Sequence, residues 1–155
     1  MASSEEIVTT GGCFCGAARY QVKGRPVRAA YCHCTLCQRF NAAAFIHTIH
    51  WEPTAFSWTH SATPEDVLDF YHVAHKPWKK RYRCKTCGVA IANENTKTGK
   101  WSVWGAQLDR DEHARIRNWD VVKPTAHWFY ETRMLDVDDA LGKWAGYENE
   151  SERLG

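Results

Sequence analysis

Gly11-Gly12-Cys13-Phe14-Cys15-Gly16, taken with Cys84-Lys85-Thr86-Cys87-Gly88, is the part of the sequence that decides the fold. In an extended strand residues i and i+2 project to one side, so Cys13 and Cys15 can face one metal while Phe14 turns away. Cys84-x-x-Cys87 followed by Gly is a zinc-binding turn: it gathers two sulfurs, and the glycine accepts a backbone conformation that other residues resist. Two such half-sites can close a tetrahedral four-thiolate zinc site. The site would tie an N-terminal strand to a hairpin in the middle of the chain.

The chain has seven cysteines, so this pairing leaves three, all in Cys32-His33-Cys34-Thr35-Leu36-Cys37. Three thiolates crowded together repel unless a cation neutralises them, which points to a second metal. Four sulfurs close a coordination sphere, whereas three leave a position for water, a substrate or another ligand. His33, His47 and His50 are candidates for that position. His33 should point away from the metal if Cys32 and Cys34 face it, and His47 and His50 lie on opposite faces of the next strand, so only one of them can face the site.

The rest of the sequence reads as short strands punctuated by turns. Residues 18–23, 28–33, 45–51, 67–74, 90–95, 101–106 and 127–131 are rich in β-branched or aromatic side chains. Pro26, Pro53, Pro64, Pro77, Gly99 and Pro124 separate them. The pattern predicts an all-β protein of mostly antiparallel short strands with minor helices at 34–39, 111–117 and 138–144. At 155 residues the chain fits one domain, 1–155, with a core over about 7–147 and a frayed polar tail.

No secretory signal and no membrane-spanning run is visible, so a soluble cytoplasmic protein is expected. In a reducing compartment clustered cysteines read as metal ligands rather than disulfides. The formal charge of +2 assumes neutral thiols. Two divalent ions add four charges and seven thiolates remove seven, leaving about −1. With no Lys/Arg block, neither nucleic acid nor a membrane is an expected partner. The 8 Trp suit pocket walls as well as core, with Trp51, Trp101 and Trp104 the candidates for a wall.

The segments Gly11 to Tyr20, Cys32 to Arg39 with Phe45 beyond, and Cys84 to Gly88 resemble the signature of the glutathione-dependent formaldehyde-activating enzyme family, which includes centromere protein V. Trp104 to Asp109 and His127 to Trp144 are similar to the family's later pattern. The resemblance implies a β-tent fold, a structural zinc on Cys13, Cys15, Cys84 and Cys87, and a labile zinc on Cys32, Cys34 and Cys37. It further implies carbon–sulfur lyase chemistry, with glutathione as co-substrate. Where the family usually reads Gly-Ala-Pro-Phe, this chain has Ala42-Ala43-Ala44-Phe45, so the loop beside the second metal is expected to differ in shape.

A three-thiolate zinc is a weaker Lewis acid than one held by histidines, so delivery of an activated thiol is expected rather than water activation. The candidate catalytic residues are Cys32, Cys34, Cys37, His33 and His47. Arg39 and Phe45 are candidates for holding the co-substrate, Arg39 through its planar fork on a carboxylate. Two rivals stand beside this reading: a non-catalytic, zinc-stabilised protein-interaction module, and a lyase or isomerase acting on a larger small molecule. An open, aromatic-lined pocket at the second metal would separate the enzyme from the module.

Overall fold

A computed structural model describes residues 5–155. Its strands are β1 (Val8–Gly12), β2 (Arg19–Lys23), β3 (Arg28–Cys32), β4 (Ile46–Trp51), β5 (Phe56–Trp58), β6 (Leu68–Val73), β7 (Lys76–Cys84), β8 (Ala90–Asn95), β9 (Trp101–Trp104), β10 (Ala126–Trp128) and β11 (Gly142–Lys143). Three short helices interrupt them, α1 (Thr35–Asn41), α2 (Pro64–Val67) and α3 (Trp119–Val122). The expected all-β architecture of short strands with minor helices is the one observed. No helix is long and apolar enough to cross a membrane among the described residues.

The strands form two open sheets. One has the order β1-β2-β5, and the other runs β11-β10-β3-β4-β9-β8-β7-β6. Pairing is antiparallel except that β10 lies parallel to both β3 and β11. Alternation along these strands gives the large sheet two chemically different faces. Ala29, Ile49, Trp51, Val103 and Tyr82 pack with Tyr20 and Val22 of the small sheet in the principal core. Ile49, Trp51, Val103, Tyr20 and Val22 are fully buried there, each removing about 1.5–3 kcal/mol of apolar surface cost from contact with water.

The opposite face carries Arg28 across from His50, Cys32 across from Ile46, His50 across from Ser102, Asn93 across from Ser102, and Arg81 across from Asn93. Residues directly opposite in a ladder share a face, so these side chains form one continuous surface from β3 to β7. That surface is the floor of the site described below.

Several elements differ from expectation. Neither 111–117 nor 138–144 is a helix: the first is a turn with a bridge at Ile116 and the second runs from bends into β11, and each begins by closing locally on an aspartate side chain, Asp111 accepting from the backbone of His113 and Arg115 and Asp139 from that of Leu141. The expected N-terminal strand ends at Gly12, short of the cysteines, and β5 and the nine-residue β7 were not anticipated, the latter because its lysine and arginine run lacks apolar alternation. The tail is not frayed: Leu154 donates its backbone N–H to Lys143 (2.7 Å) and Lys143 donates to Gly155 (2.9 Å). Backbone pairing of this kind orders a polar segment without requiring an apolar side-chain pattern.

Candidate metal centres and the adjoining cavity

Cys13 and Cys15 lie just past β1, in the turn to β2, and not on an extended strand as expected. The turn is closed by Gly16 N–H donating to Cys13 O (3.3 Å), and Ala18 N–H donates to the Cys13 sulfur (3.3 Å). Cys84 ends β7, and Gly88, at φ +74, brings the chain back so that its N–H donates to Cys84 O (2.8 Å). The two turns meet. Sulfur to sulfur, Cys13–Cys15 is 3.6 Å and Cys15–Cys84 is 3.7 Å, and the four thiol sulfurs including Cys87 lie within 4.8 Å of one another. Tetrahedral zinc with bonds of about 2.3 Å separates its sulfurs by roughly 3.8 Å, so the spacing suits a shared metal. A disulfide would need about 2.05 Å, and all seven cysteines are free.

The second cluster is built from the end of β3 and the start of α1. Cys32 is the last residue of its strand and Cys34 is the N-cap of the helix, its sulfur accepting from Cys37 N–H (3.3 Å). This cap, the role usually taken by Ser, Thr, Asp or Asn, leaves Cys34 and Cys37 on one side of the first helical turn. The three thiol sulfurs lie within 4.8 Å of one another, and among the described residues no histidine or carboxylate completes the set. Thiols of Cys32 and Cys37 bonded to the Cys34 sulfur push Cys34 down to about 2, and Cys32 is pushed up by its bond to Cys34.

The cluster opens onto a cavity of about 290 Å³. Trp128, Phe129 and Tyr147 wall it, His50 and Thr48 rise from the sheet floor, and Arg28, Lys76, Lys79, Arg81 and Lys100 supply positive charge. Burial, then Arg28, Lys79 and Lys100, lower His50 to about 3, so its imidazole is neutral at pH 7. Lys79 is also lowered, first by burial and then by its neighbours Lys76 and Arg81.

The expected site residues divide between the two faces. Cys32, Cys34 and Cys37 face the cavity. His33 is fully buried behind them, with its Nε2 2.8 Å from His127 Nδ1 and its ring 4.7 Å from Phe45. Asp139 accepts from His127 Nε2 (2.8 Å), so His127 links His33 to that carboxylate. His47 turns away from the cavity, its Nε2 donating to Val122 O (2.7 Å), while His50 takes the cavity side of β4. Arg39 is exposed on α1, and neither it nor Phe45 lines the cavity. Trp51 is core, Trp101 lines a groove elsewhere, and Trp104 packs beside Cys32 and Ile46.

Trp128, Tyr147, Lys79 and Arg81 were missed. Once Cys32 is set opposite Ile46, parity alone places Thr48 and His50 on its face, but that register is not written in the sequence.

Residues 8–132, which contain all three cysteine groups, match the family model described as glutathione-dependent formaldehyde-activating enzyme. The chain belongs to that family. Its fold is similar to that of a structural-genomics protein from Rhodobacter sphaeroides, at 19% identity and a TM-score of 0.54, covering 77% of this chain and 98% of the other. A comparison with curated proteins finds no match. The family match ends before Asp139 and Tyr147, so the segment that braces His127 and closes one cavity wall lies outside the matched region.

Proposed function

We propose that this protein is a zinc-dependent carbon–sulfur lyase-type enzyme, handling glutathione or another thiol adduct of a small electrophile at the three-cysteine group. In this reading Cys13, Cys15, Cys84 and Cys87 hold a structural zinc, and Cys32, Cys34 and Cys37 hold the working one. The observation that carries the reading is that the three sulfurs have no fourth protein donor among the described residues and face an aromatic-walled, cationic cavity. A purely structural centre needs neither feature.

The zinc, when bound, supplies stabilisation of a thiolate at neutral pH. In the synthetic direction the thiolate sulfur bonds to the electrophilic carbonyl carbon, and the oxygen takes a proton; cleavage breaks the same carbon–sulfur bond and returns that proton. Trp128, Phe129 and Tyr147 shield one side of the cavity from water, which strengthens every charged contact inside it. His50, held neutral, orients polar substrate atoms by hydrogen bonding rather than supplying a proton. His33 acts at one remove: its carbonyl accepts from Gln38 Nε2 (2.6 Å) and Thr132 Oγ1 (2.9 Å), which fixes the backbone between two of the thiols.

The test is Cys34→Ser, with zinc counted per chain and turnover of S-hydroxymethylglutathione followed. Zinc should fall from two to one and turnover by at least about a hundredfold, in line with loss of a group acting directly at the reacting atoms. Full turnover with the second zinc absent would sink the reading.

A further inference from the structure

We propose that Tyr147, seated on Arg28 and Trp128, is a specificity-determining residue: it forms a partition that shuts the three-cysteine cavity off from a second, larger recess and so keeps bulky molecules from the sulfurs. The inference deepens the reading of a thiol-adduct site and rests on it for the ligand, though not for the partition.

Two cavities share Arg28, His50, Lys100 and Trp128. One is the 290 Å³ cavity that holds Cys32, Cys34 and Cys37. The other is a recess of about 660 Å³ whose lining includes Arg25, Lys123 and Thr125 and none of the cysteines. Tyr147 lines the first, and the next three residues, Glu148, Asn149 and Glu150, line the second. The chain therefore crosses from one cavity to the other at Tyr147.

Three groups close the gap there. The Arg28 guanidinium carbon lies 4.4 Å from the centre of the Tyr147 ring and 5.1 Å from that of Trp128, and the two rings meet edge to face at 5.3 Å. A cation over an aromatic face and an edge-to-face ring pair are both attractive, so each member of the triangle holds the other two. Glu150 steadies Arg28 from the side of the recess (3.5 Å). Arg28 lies directly across the β3–β4 ladder from His50, which sets the partition beside the floor of the site.

The partition is a wall and not a flap. Tyr147 sits near the tip of a hairpin over 144–153, in which Trp144 bridges Arg153 and Ala145 N–H donates to Glu152 O (2.9 Å). Gly146 N–H donates to Ser151 Oγ (2.8 Å), which in turn donates to Tyr147 O (2.8 Å). The hairpin is fixed to the body of the protein by Trp144 N–H on His127 O (3.0 Å), Tyr130 N–H on Trp144 O (3.0 Å) and Thr125 Oγ1 on Glu148 (2.7 Å). A side chain locked by packing and by backbone bonds on both sides keeps its place when a ligand arrives, so it sorts ligands by size. Trp128 is less suited to that role, being 1% exposed and part of a buried cluster. Tyr147 is half-buried with the recess behind it, so losing its ring opens a passage instead of leaving an enclosed void. The family match ends at residue 132, so the wall is supplied by a segment outside the matched region.

The test compares initial rates of alkylation of the zinc-loaded full chain by N-ethylmaleimide and by the bulkier N-(1-pyrenyl)maleimide, read by mass spectrometry at each cysteine group. Cys15 is exposed and far from the partition in sequence, so its bulky-to-small rate ratio is the internal standard. In the wild type the ratio at Cys32, Cys34 and Cys37 should be lower than at Cys15 by at least about tenfold, the cost of forcing a large group into a packed wall. Tyr147→Ala should raise the ratio at the three-cysteine group by about the same factor and leave that at Cys15 unchanged. Tyr147→Phe, which keeps the ring, should behave as wild type. A wild-type ratio equal to that at Cys15, or one that does not rise in Tyr147→Ala, overturns the proposal. If Tyr147→Ala does not fold, Tyr147→Val decides: the ratio should rise several-fold, and an unchanged ratio refutes the partition. If bound metal protects the three sulfurs from both reagents, the same ratios are read after EDTA has removed the labile ion. Turnover of S-hydroxymethylglutathione, followed alongside, separates the two readings: a shifted ratio without turnover keeps the partition and removes the lyase, and turnover with an unshifted ratio does the reverse.

Discussion

Ala42→Gly should stabilise this protein, although a glycine introduced into a folded chain usually does the reverse. Ala42 caps the C-terminus of α1 at φ 48 and ψ 46, in the left-handed region, with its N–H donating to Gln38 O. For an L-residue this conformation costs about 1–2 kcal/mol, and for glycine almost nothing. Glycine adds back about 0.4–1 kcal/mol of freedom to the unfolded chain. The Ala42 side chain is exposed, so little packing is lost, and the net gain is about 0.5–1 kcal/mol. For a chain of this length that corresponds to a rise in Tm of roughly 1–4 °C. The measurement is thermal unfolding by circular dichroism at matched zinc content. Ala43→Gly is the control: Ala43 is not among the left-handed residues and packs beside Cys37 and Phe40, so the same change there should destabilise by about 1 kcal/mol or more. A Tm for Ala42→Gly that falls as the control's does would refute the left-handed cap and the strain argument built on it.

Gly105→Ala should cost about 1–3 kcal/mol, the range for forced overpacking, because a Cβ there would stand 1.8 Å from His47 Nδ1; a denaturation midpoint unchanged from wild type would show that the imidazole is free to move. The pH dependence follows from His50. Burial and three cations hold its folded pKa near 3, below the unfolded value of about 6.5, so the folded state resists the proton that the unfolded state accepts. Its contribution is complete above pH 6.5 and is lost as pH falls from there toward 3. His50→Gln should flatten the stability profile in that window by comparison with wild type, and identical slopes would contradict the assignment.

Much of the site was legible before the fold was known. The cysteine spacings divide four from three because short-range geometry limits which sulfurs can meet, and a Cys-x-x-Cys-Gly turn forms from its own residues and the freedom of Gly88. The strands rich in β-branched and aromatic residues were legible for the same local reason, whereas β7, with Lys76, Lys79, Lys80, Arg81 and Arg83, reads as a solvated charge run. His47 and His50 were known to point opposite ways, but alternation gives parity and not sign.

The choice between those two histidines belongs to the tertiary structure, because it needs the register that sets Cys32 opposite Ile46. The same holds for Arg81, whose burial beside the sulfurs arises from pairing between strands far apart in the chain, and for Tyr147, brought to the cavity by a segment that folds back along β10. The sequence by itself determined the local groups, Cys13 with Cys15, Cys84 with Cys87, and Cys32 with Cys34 and Cys37, and the kind of metal that thiols at such spacings suit, since those follow from neighbours along the chain. Only the tertiary structure decided what the three-cysteine group faces, since a cavity is made by residues that local sequence does not bring together.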